Sequence, residues 1–157
     1  MASFVFNRLA LLATDYVMGS SGSITPPASW TVALATTATS GYNKSTSVWS
    51  ATVSGANVNE IGSTTANGYA RQTINRDQTG NGWGAATTDA TGATTTGKQV
   101  TFTLSTGAPS PNGANSWVVT DGTTLNAGQL YFSADTAATR TFQTGDTEKV
   151  TPSLKGA

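Results

Sequence analysis

Large apolar side chains are scarce in this sequence, and the scarcity limits what the chain can fold into. Only 26 of the 157 residues are Leu, Ile, Val or Phe. Such a low fraction is typical of disordered chains when the net charge is high, but here 8 Lys and Arg balance 8 Asp and Glu. The 30 Thr favour strands, whereas the 16 Ser and 17 Gly favour turns. We therefore expect a folded, mainly β chain whose thin core is filled in part by 13 aromatic rings.

The sequence contains neither Cys nor His, which excludes several kinds of chemistry. Without Cys there is no disulfide framework, thiol nucleophile or cysteine metal site. Without His there is no Ser-His-Asp triad and no histidine metal helix. Scattered Lys and Arg at zero net charge lack the basic footprint of a nucleic-acid binder, and no apolar run approaches a membrane span. Much of the usual enzyme repertoire is therefore absent, and we expect no catalytic, cofactor-binding or metal-binding residue, no cofactor, and neither nucleic acid nor a membrane as partner.

The N-terminal 20 residues are predicted to form a short amphipathic helix or arm. Ser3 is the expected N-cap and Gly19 the residue after the last turn. The spacing i, i+4, i+7, i+11 gives one apolar face, made of Val5, Leu9, Leu12 and Tyr16. A secretory signal peptide is disfavoured because Asp15 interrupts the apolar run and no small-residue cleavage site follows cleanly.

Short alternating segments predict strands along the rest of the chain. The clearest has Val100, Phe102 and Leu104 alternating with Thr. Others are expected at residues 30–34 (half-buried), 69–76, 117–119 and 130–132, and a last one from Val150 to Pro152. Short strands separated by turn signals are typical of an antiparallel β-sandwich or jelly roll.

We expect a single domain over residues 1–157, with the sandwich at 28–157. Residues 36–68 form a long Ser/Thr/Gly-rich excursion within it. Isolated large residues are expected to anchor this excursion to the core: Tyr42, Trp49, Val53, Val58 and Ile61.

Two segments resemble ligand-binding loops. Residues 92–98 fit the first seven positions of the phosphate-binding loop G-x-x-x-x-G-K-[ST], but Gln99 replaces the hydroxyl residue and an alternating strand follows instead of a helix. We expect a surface loop there. Residues 77–82 resemble the start of a calcium loop, but Thr88 stands where the bidentate Glu belongs. A turn between strands is favoured, and a bound cation stays open.

Carboxylates and tryptophans offer two further kinds of site. A pair of acids suffices for glycoside hydrolysis, but the closest pair, Asp146 and Glu148, is expected on a solvated turn. The four Trp could form a sugar-binding platform, but core packing is favoured because few Leu and Ile are present.

Arg71 is the charged residue with the strongest indication of a specific role. It follows Tyr69 in an expected strand, and Glu60 lies upstream. We predict a structural Glu60–Arg71 pair, which would contribute little stability if exposed.

Read in order, many segments together resemble a family of small virion proteins of tailed bacteriophages. The similarity covers roughly residues 5–151, except the longer stretch 36–59. It rests on framework residues: Pro26-Pro27 before Trp30-Thr31-Val32-Ala33-Leu34-Ala35-Thr36, Glu60-Ile61, Gly68-Tyr69-Ala70-Arg71-Gln72, Trp83, Val100-Thr101-Phe102, Trp117-Val118-Val119-Thr120-Asp121, Gly128-Gln129-Leu130-Tyr131 and Gly145-Asp146-Thr147.

The resemblance implies a non-enzymatic β-sandwich or jelly-roll subunit of a phage particle. The favoured role is a capsid cement or decoration protein, expected to be a homotrimer that clamps neighbouring major capsid subunits on the capsid surface. The alternative is a tail, fibre or baseplate component with a receptor-binding role, in contact with other tail proteins. A carboxylate-based glycan hydrolase is the remote alternative. Either structural role places the chain in the virion after synthesis in the host cytoplasm.

Overall fold

Antiparallel strands make up most of the computed structural model, which describes residues 3–18, 27–43, 49, 58–62, 65–77, 82–90, 92–104, 106–125 and 127–156. Within these ranges one α-helix lies near the N-terminus. The mainly β, antiparallel fold class with an N-terminal helix is therefore confirmed. The strand order does not establish the jelly-roll topology. In chain order the elements are β1 Ser3–Val5, α1 Asn7–Met18, β2 Ser29–Ala35, β3 Gln72–Asn75, β4 Thr87–Asp89, β5 Gly92–Thr96, β6 Val100–Thr103, β7 Ala114–Thr120, β8 Leu130–Arg140, β9 Thr147–Val150 and β10 Ser153–Gly156.

A five-stranded sheet in the order β1-β8-β7-β2-β3 organises the molecule. In one cross-strand row Val32 pairs with Val119, and Val119 pairs with Phe132. The next row, with Ala33 opposite Val118, faces the other side because successive side chains alternate. Both rows are buried. The expectation of a half-buried strand at 30–34 is therefore wrong, since this sheet is covered on both faces.

Two hydrophobic clusters account for that burial. The face of Val32, Val119 and Phe132 packs against the two-stranded β6–β9 sheet through Phe102 and Val150. The opposite face is covered by anchors from the expected excursion and by the N-terminal segment: Tyr42, Trp49, Val58 and Phe6. Ile61, also expected as an anchor, is buried in the first cluster, and Val53 lies outside the described residues. The thin core is spread over two layers, one of which is covered by the excursion and the N-terminal segment together.

The N-terminus differs from the expected helix. Ser3 is not an N-cap: it begins β1, which pairs with β8, and the helix begins only at Asn7. Phe4 and Phe6 recur with the period of a strand, and both rings contact Tyr42. Burying these aromatic rings therefore prevails over the helical spacing, and Val5 stays 36% exposed instead of joining the helix face.

The rest of the expected helix face is confirmed in part. Leu9 and Leu12 do pack against the core. Gly19 and the side chain of Tyr16 lie outside what the structure describes.

Several strands also differ from expectation, and those expected at 117–119 and 130–132 extend over Ala114–Thr120 and Leu130–Arg140. The strand expected at 69–76 pairs with β2 only over Gln72–Asn75, because beyond residue 32 the β2 main chain bonds residues 59–61 instead. Val150 ends β9 and does not begin the last strand, which follows Pro152 as β10. β10 joins a three-stranded sheet in the order β10-β5-β4. Residues 92–96 thus form the central strand of a sheet, not a surface loop.

Candidate functional site

Glu60 and Arg71 form a buried, two-point ion pair. Arg71 Nε donates to Glu60 Oε1 at 2.8 Å and Nη2 donates to Oε2 at 2.7 Å. Their side chains are 1% and 0% exposed. The predicted pair is confirmed, and its setting is the interior. A bidentate pair of this kind fixes orientation as well as charge, since two parallel bonds hold the guanidinium plane.

The pair is joined to the central sheet by Tyr69. β2 bonds β3 only through residue 32, and near its C-terminal end it bonds residues 59–61 instead, with Ile61 N donating to Leu34 O at 3.0 Å. Between these partners, Leu34 N donates to the Tyr69 hydroxyl at 2.9 Å, and that hydroxyl donates to Glu60 Oε1 at 3.0 Å. The side chain of Tyr69 thus satisfies an amide where the strand changes partner.

On its other side Arg71 holds the loop between β7 and β8. Its Nη1 donates to Gly122 O at 2.6 Å and to Ala127 O at 2.8 Å. Its guanidinium carbon lies 4.8 Å from the centre of the Trp49 ring. One side chain therefore connects residues 60, 49, 122 and 127, which lie in three separate parts of the sequence.

Asp121 fixes the same loop from within. Its carboxylate accepts a bond from Gln129 N at 2.6 Å and from the Tyr131 hydroxyl at 3.0 Å. Gly128 has φ +92, and a Cβ there would lie 2.6 Å from Gly122 N. Glycine is required at this position because the loop closes on itself there.

The environment keeps the tyrosines of this region protonated. Burial raises the pKa of Tyr69 well above its ordinary value of 10, and the negative charge of Glu60 adds to the shift. Burial also raises the pKa of Tyr131. Tyr69 is thus a fixed hydrogen-bond donor to Glu60. The described contacts give Tyr69, Tyr131 and Arg71 structural roles, and Arg71 donates four hydrogen bonds to groups within the fold.

The other candidate residues lie apart from this network. Residues 92–96 are strand β5, paired on both sides, so their backbone is not arranged as a phosphate-binding loop. Glu148 forms a partly exposed pair with Arg140 at 3.5 Å, whereas Asp146 accepts a bond from Gln143 N in its turn. The two acids have separate partners.

The candidate calcium loop is described only at its ends. Asp77 O accepts a bond from Trp83 N at 2.7 Å, and a Cβ on Gly82 would lie 2.0 Å from that same oxygen. Residues 78–81 lie outside the described residues, so a bound cation there stays a hypothesis. Within the described ranges, no group of three or more Asp and Glu side chains is placed to hold a metal ion.

An apolar pocket of about 320 Å³ is the feature that sequence reasoning missed. It lies where α1, the five-stranded sheet and the three-stranded sheet meet. Its walls include Leu9, Trp30, Trp83, Phe132 and Leu154, and Arg76 and Asp77 also line it. These wall residues are spread from residue 9 to residue 154, so only the sheet packing brings them together.

Three tryptophans lie in the core, and one of them, Trp30, also lines the pocket together with Trp83. Trp30, Trp49 and Trp117 are buried, which confirms core packing for these three. Trp83 is only partly buried, and its ring lies against Gly97, where a Cβ would approach it to 3.2 Å. Its buried Nε1 has no hydrogen-bond partner within the described structure.

Comparison with known proteins adds no family to this picture. No protein-family model and no curated sequence matches the chain. Among the described helices, none is long and apolar enough to cross a membrane. Function must therefore be argued from the geometry above and from the sequence resemblance.

Proposed function

We propose that this chain is a non-enzymatic structural subunit of a tailed-bacteriophage particle, most simply a decoration protein on the capsid surface. The observation that carries the proposal is the buried network around Glu60 and Arg71. The resemblance to phage virion proteins rests in part on Glu60-Ile61 and on the segment from Gly68 to Gln72. These two motifs meet in one ion pair at 2.7 Å. These residues of the resemblance contact one another inside the fold, which supports a structural role for them.

Two exposed apolar side chains on the N-terminal segment support a role in assembly. Leu11 on α1 is 54% exposed and Val5 on β1 is 36% exposed. The segment itself is well anchored, since Phe6 is fully buried and its N–H donates to Tyr131 O at 3.0 Å. A rigidly held element that presents apolar side chains outward is suited to contact with another subunit.

The partners in this proposal are the major capsid protein and further copies of the same chain. A homotrimer, a jelly-roll topology and location in the virion follow from the resemblance and belong to the proposal. Binding to the particle would also stabilise the thin-cored fold by mass action.

The proposal is tested by locating and counting the chain in purified particles. Cryo-electron microscopy and quantitative mass spectrometry should find hundreds of copies spread over the shell. A few dozen or fewer at one vertex would favour the tail alternative. Absence from the particle, with no binding of the purified chain to it, would overturn both structural roles.

Replacing the exposed Leu11 provides a sharper test of the proposal. Leu11→Ser should weaken cosedimentation with particles by roughly fivefold or more, the effect of losing about 1 kcal/mol at an interface anchor. Ala10→Ser is the matched control, because residue 10 is exposed on the same helix. Equal binding by both variants would show that Leu11 is not part of the contact surface.

A further inference from the structure

The apolar pocket has a charged edge. Its volume of about 320 Å³ lies at the lower end of the range for small-ligand sites, roughly 300–1,000 Å³. Two buried aromatic side chains, Trp30 and Phe132, line it, whereas the lining residues Arg76 and Asp77 are exposed. The pocket therefore changes from aromatic in its interior to charged at its opening. A matching ligand carries an aromatic ring at one end and charged groups at the other.

The interior favours a flat ring. The Trp83 and Phe132 ring centres are 5.7 Å apart, with their planes inclined by 58°. Leu9 and Leu154 add aliphatic walls beside them. Aromatic rings gain from offset and edge-to-face contacts, and a ring that enters the pocket can contact both inclined planes at once.

The main chain holds the two charged residues side by side at the opening. Arg76 N donates to Ala28 O at 3.3 Å, and Asp77 O accepts from Trp83 N at 2.7 Å. Among the described residues, no ion pair engages Arg76. The guanidinium of Arg76 suits a carboxylate, and the carboxylate of Asp77 suits an ammonium group.

The opposite charges of Arg76 and Asp77 together select a ligand that carries both signs. One carboxylate oxygen of Asp77 lies close to Gly82, where a Cβ would collide with it. An ionised carboxylate has about four acceptor positions on its two oxygens, so contact with its own turn leaves positions for a ligand. A ligand with a carboxylate alone would be repelled by Asp77, and one with an ammonium alone would be repelled by Arg76.

We propose that the pocket between α1, β5 and β10 binds an aromatic α-amino acid as its zwitterion. The ring lies against Trp83 and Phe132, the carboxylate pairs with Arg76 and the ammonium pairs with Asp77. The site is independent of particle assembly, so its failure would leave the proposed function untouched.

The test is an NMR titration of the full chain with L-phenylalanine, following the methyl signals of Leu154, which lines the pocket. These signals should shift saturably, with a dissociation constant of about 1 mM or below. 3-Phenylpropionate lacks the ammonium and 2-phenylethylamine lacks the carboxylate, so each should bind roughly fivefold more weakly. No saturable shift with phenylalanine, or equal or tighter binding of either singly charged compound, would overturn the proposal.

Charge-removing variants assign the two contacts. Arg76→Gln should weaken phenylalanine binding roughly fivefold but should not weaken binding of 2-phenylethylamine, which has no carboxylate. Asp77→Asn should weaken phenylalanine binding but not binding of 3-phenylpropionate, which has no ammonium. Arg140→Gln is the matched control, because Arg140 does not line the pocket, and it should leave all three affinities unchanged. Equal weakening of phenylalanine and 2-phenylethylamine by Arg76→Gln would contradict the carboxylate contact.

A pocket-filling variant locates the site. Ala86→Leu places extra atoms at a residue that lines the pocket and should abolish phenylalanine binding. Ala85→Leu is the matched control at the exposed neighbouring residue, which does not line it. Melting temperatures of both variants should match that of the unmodified chain. Undiminished binding by folded Ala86→Leu would exclude this pocket as the site.

Discussion

The five-stranded and three-stranded sheets of this molecule are built on opposite principles. In the larger sheet, six of the seven residues of β2 and of β7 are buried. In the smaller sheet, all three residues of β4 are exposed and β5 has no fully buried residue. The larger sheet is stabilised by side chains on both faces, whereas the smaller depends mainly on its backbone ladder and on Leu154, which packs on the core.

The difference shows where a thin core is concentrated. With few large apolar residues, the chain buries them on one sheet and fills the other with Thr and Gly. The ion pairs follow the same division: Glu60–Arg71 is buried beside the larger sheet, whereas Lys155–Asp89 lies on the smaller sheet at 3.3 Å with side chains 45% and 59% exposed. Breaking the buried ion pair should therefore lower the free energy of unfolding more than breaking the exposed one.

Removing Arg71 should cause the largest loss. Arg71→Met leaves Glu60 as a buried charge without its partner and frees the carbonyls of Gly122 and Ala127. Breaking a buried pair from one side costs about 3–5 kcal/mol. Chemical denaturation with a fluorescence readout measures the free energy of unfolding, and a loss below about 1 kcal/mol would contradict the role assigned to the pair.

The double variant Glu60→Leu, Arg71→Met tests whether the loss in the single variants comes from leaving one buried charge unbalanced. With both charges removed, no uncompensated charge stays in the interior. Its loss should be clearly smaller than the sum of the two single losses, because residues in contact are coupled. Additive losses would mean that the two side chains act independently.

The sequence predicts this division only in part. Alternation of apolar residues with Thr indicates β6, and the sequence also predicts that Glu60 and Arg71 form an ion pair. The burial of that pair could not be predicted, because Trp49, Gly122 and Ala127, which contact Arg71, are distant from it in sequence. Strand β1 was not predicted because Val5 fits the spacing of the helix face. The spacing of Phe4 and Phe6 is nevertheless that of a strand.

The smaller sheet and the pocket were not predictable from local pattern. The central strand of the smaller sheet, Gly92–Thr96, has no apolar residue larger than Ala, and its local sequence therefore predicts a loop. It becomes a strand because β4 and β10 pair with it, and β10 is distant in sequence. The pocket follows from that pairing, since Leu154 reaches it only through β10.

Alkaline pH should have the next largest effect, a fall in the free energy of unfolding. The pKa values of Tyr42, Tyr69 and Tyr131 are raised above 10, chiefly by burial. Below pH 10 both folded and unfolded chains keep these protons, and stability is fully present. Above pH 10 the unfolded chain loses protons that the folded chain retains, so the free energy of unfolding falls as pH rises toward the folded pKa values.

Urea unfolding between about pH 8 and pH 11 measures this effect. Tyr69→Phe should be less stable at neutral pH, because the bonds to Leu34 N and Glu60 are lost, and its stability should fall less steeply above pH 10. The strands of the smaller sheet contain no Tyr, so none of the raised tyrosine pKa values belongs to them. A slope in Tyr69→Phe equal to that of the unmodified chain would contradict the assignment to Tyr69.

Removing Lys155 should have the smallest effect and completes the comparison. Lys155→Met introduces the same side chain as Arg71→Met, but at an exposed pair on the smaller sheet. Exposed pairs contribute about 0–1 kcal/mol because water and salt screen them. Its unfolding free energy should stay within about 1 kcal/mol of the unmodified chain, and raising the salt concentration should reduce the difference further. A loss comparable to that of Arg71→Met would show that the smaller sheet is held by its charges, because its backbone ladder and Leu154 are unchanged in this variant.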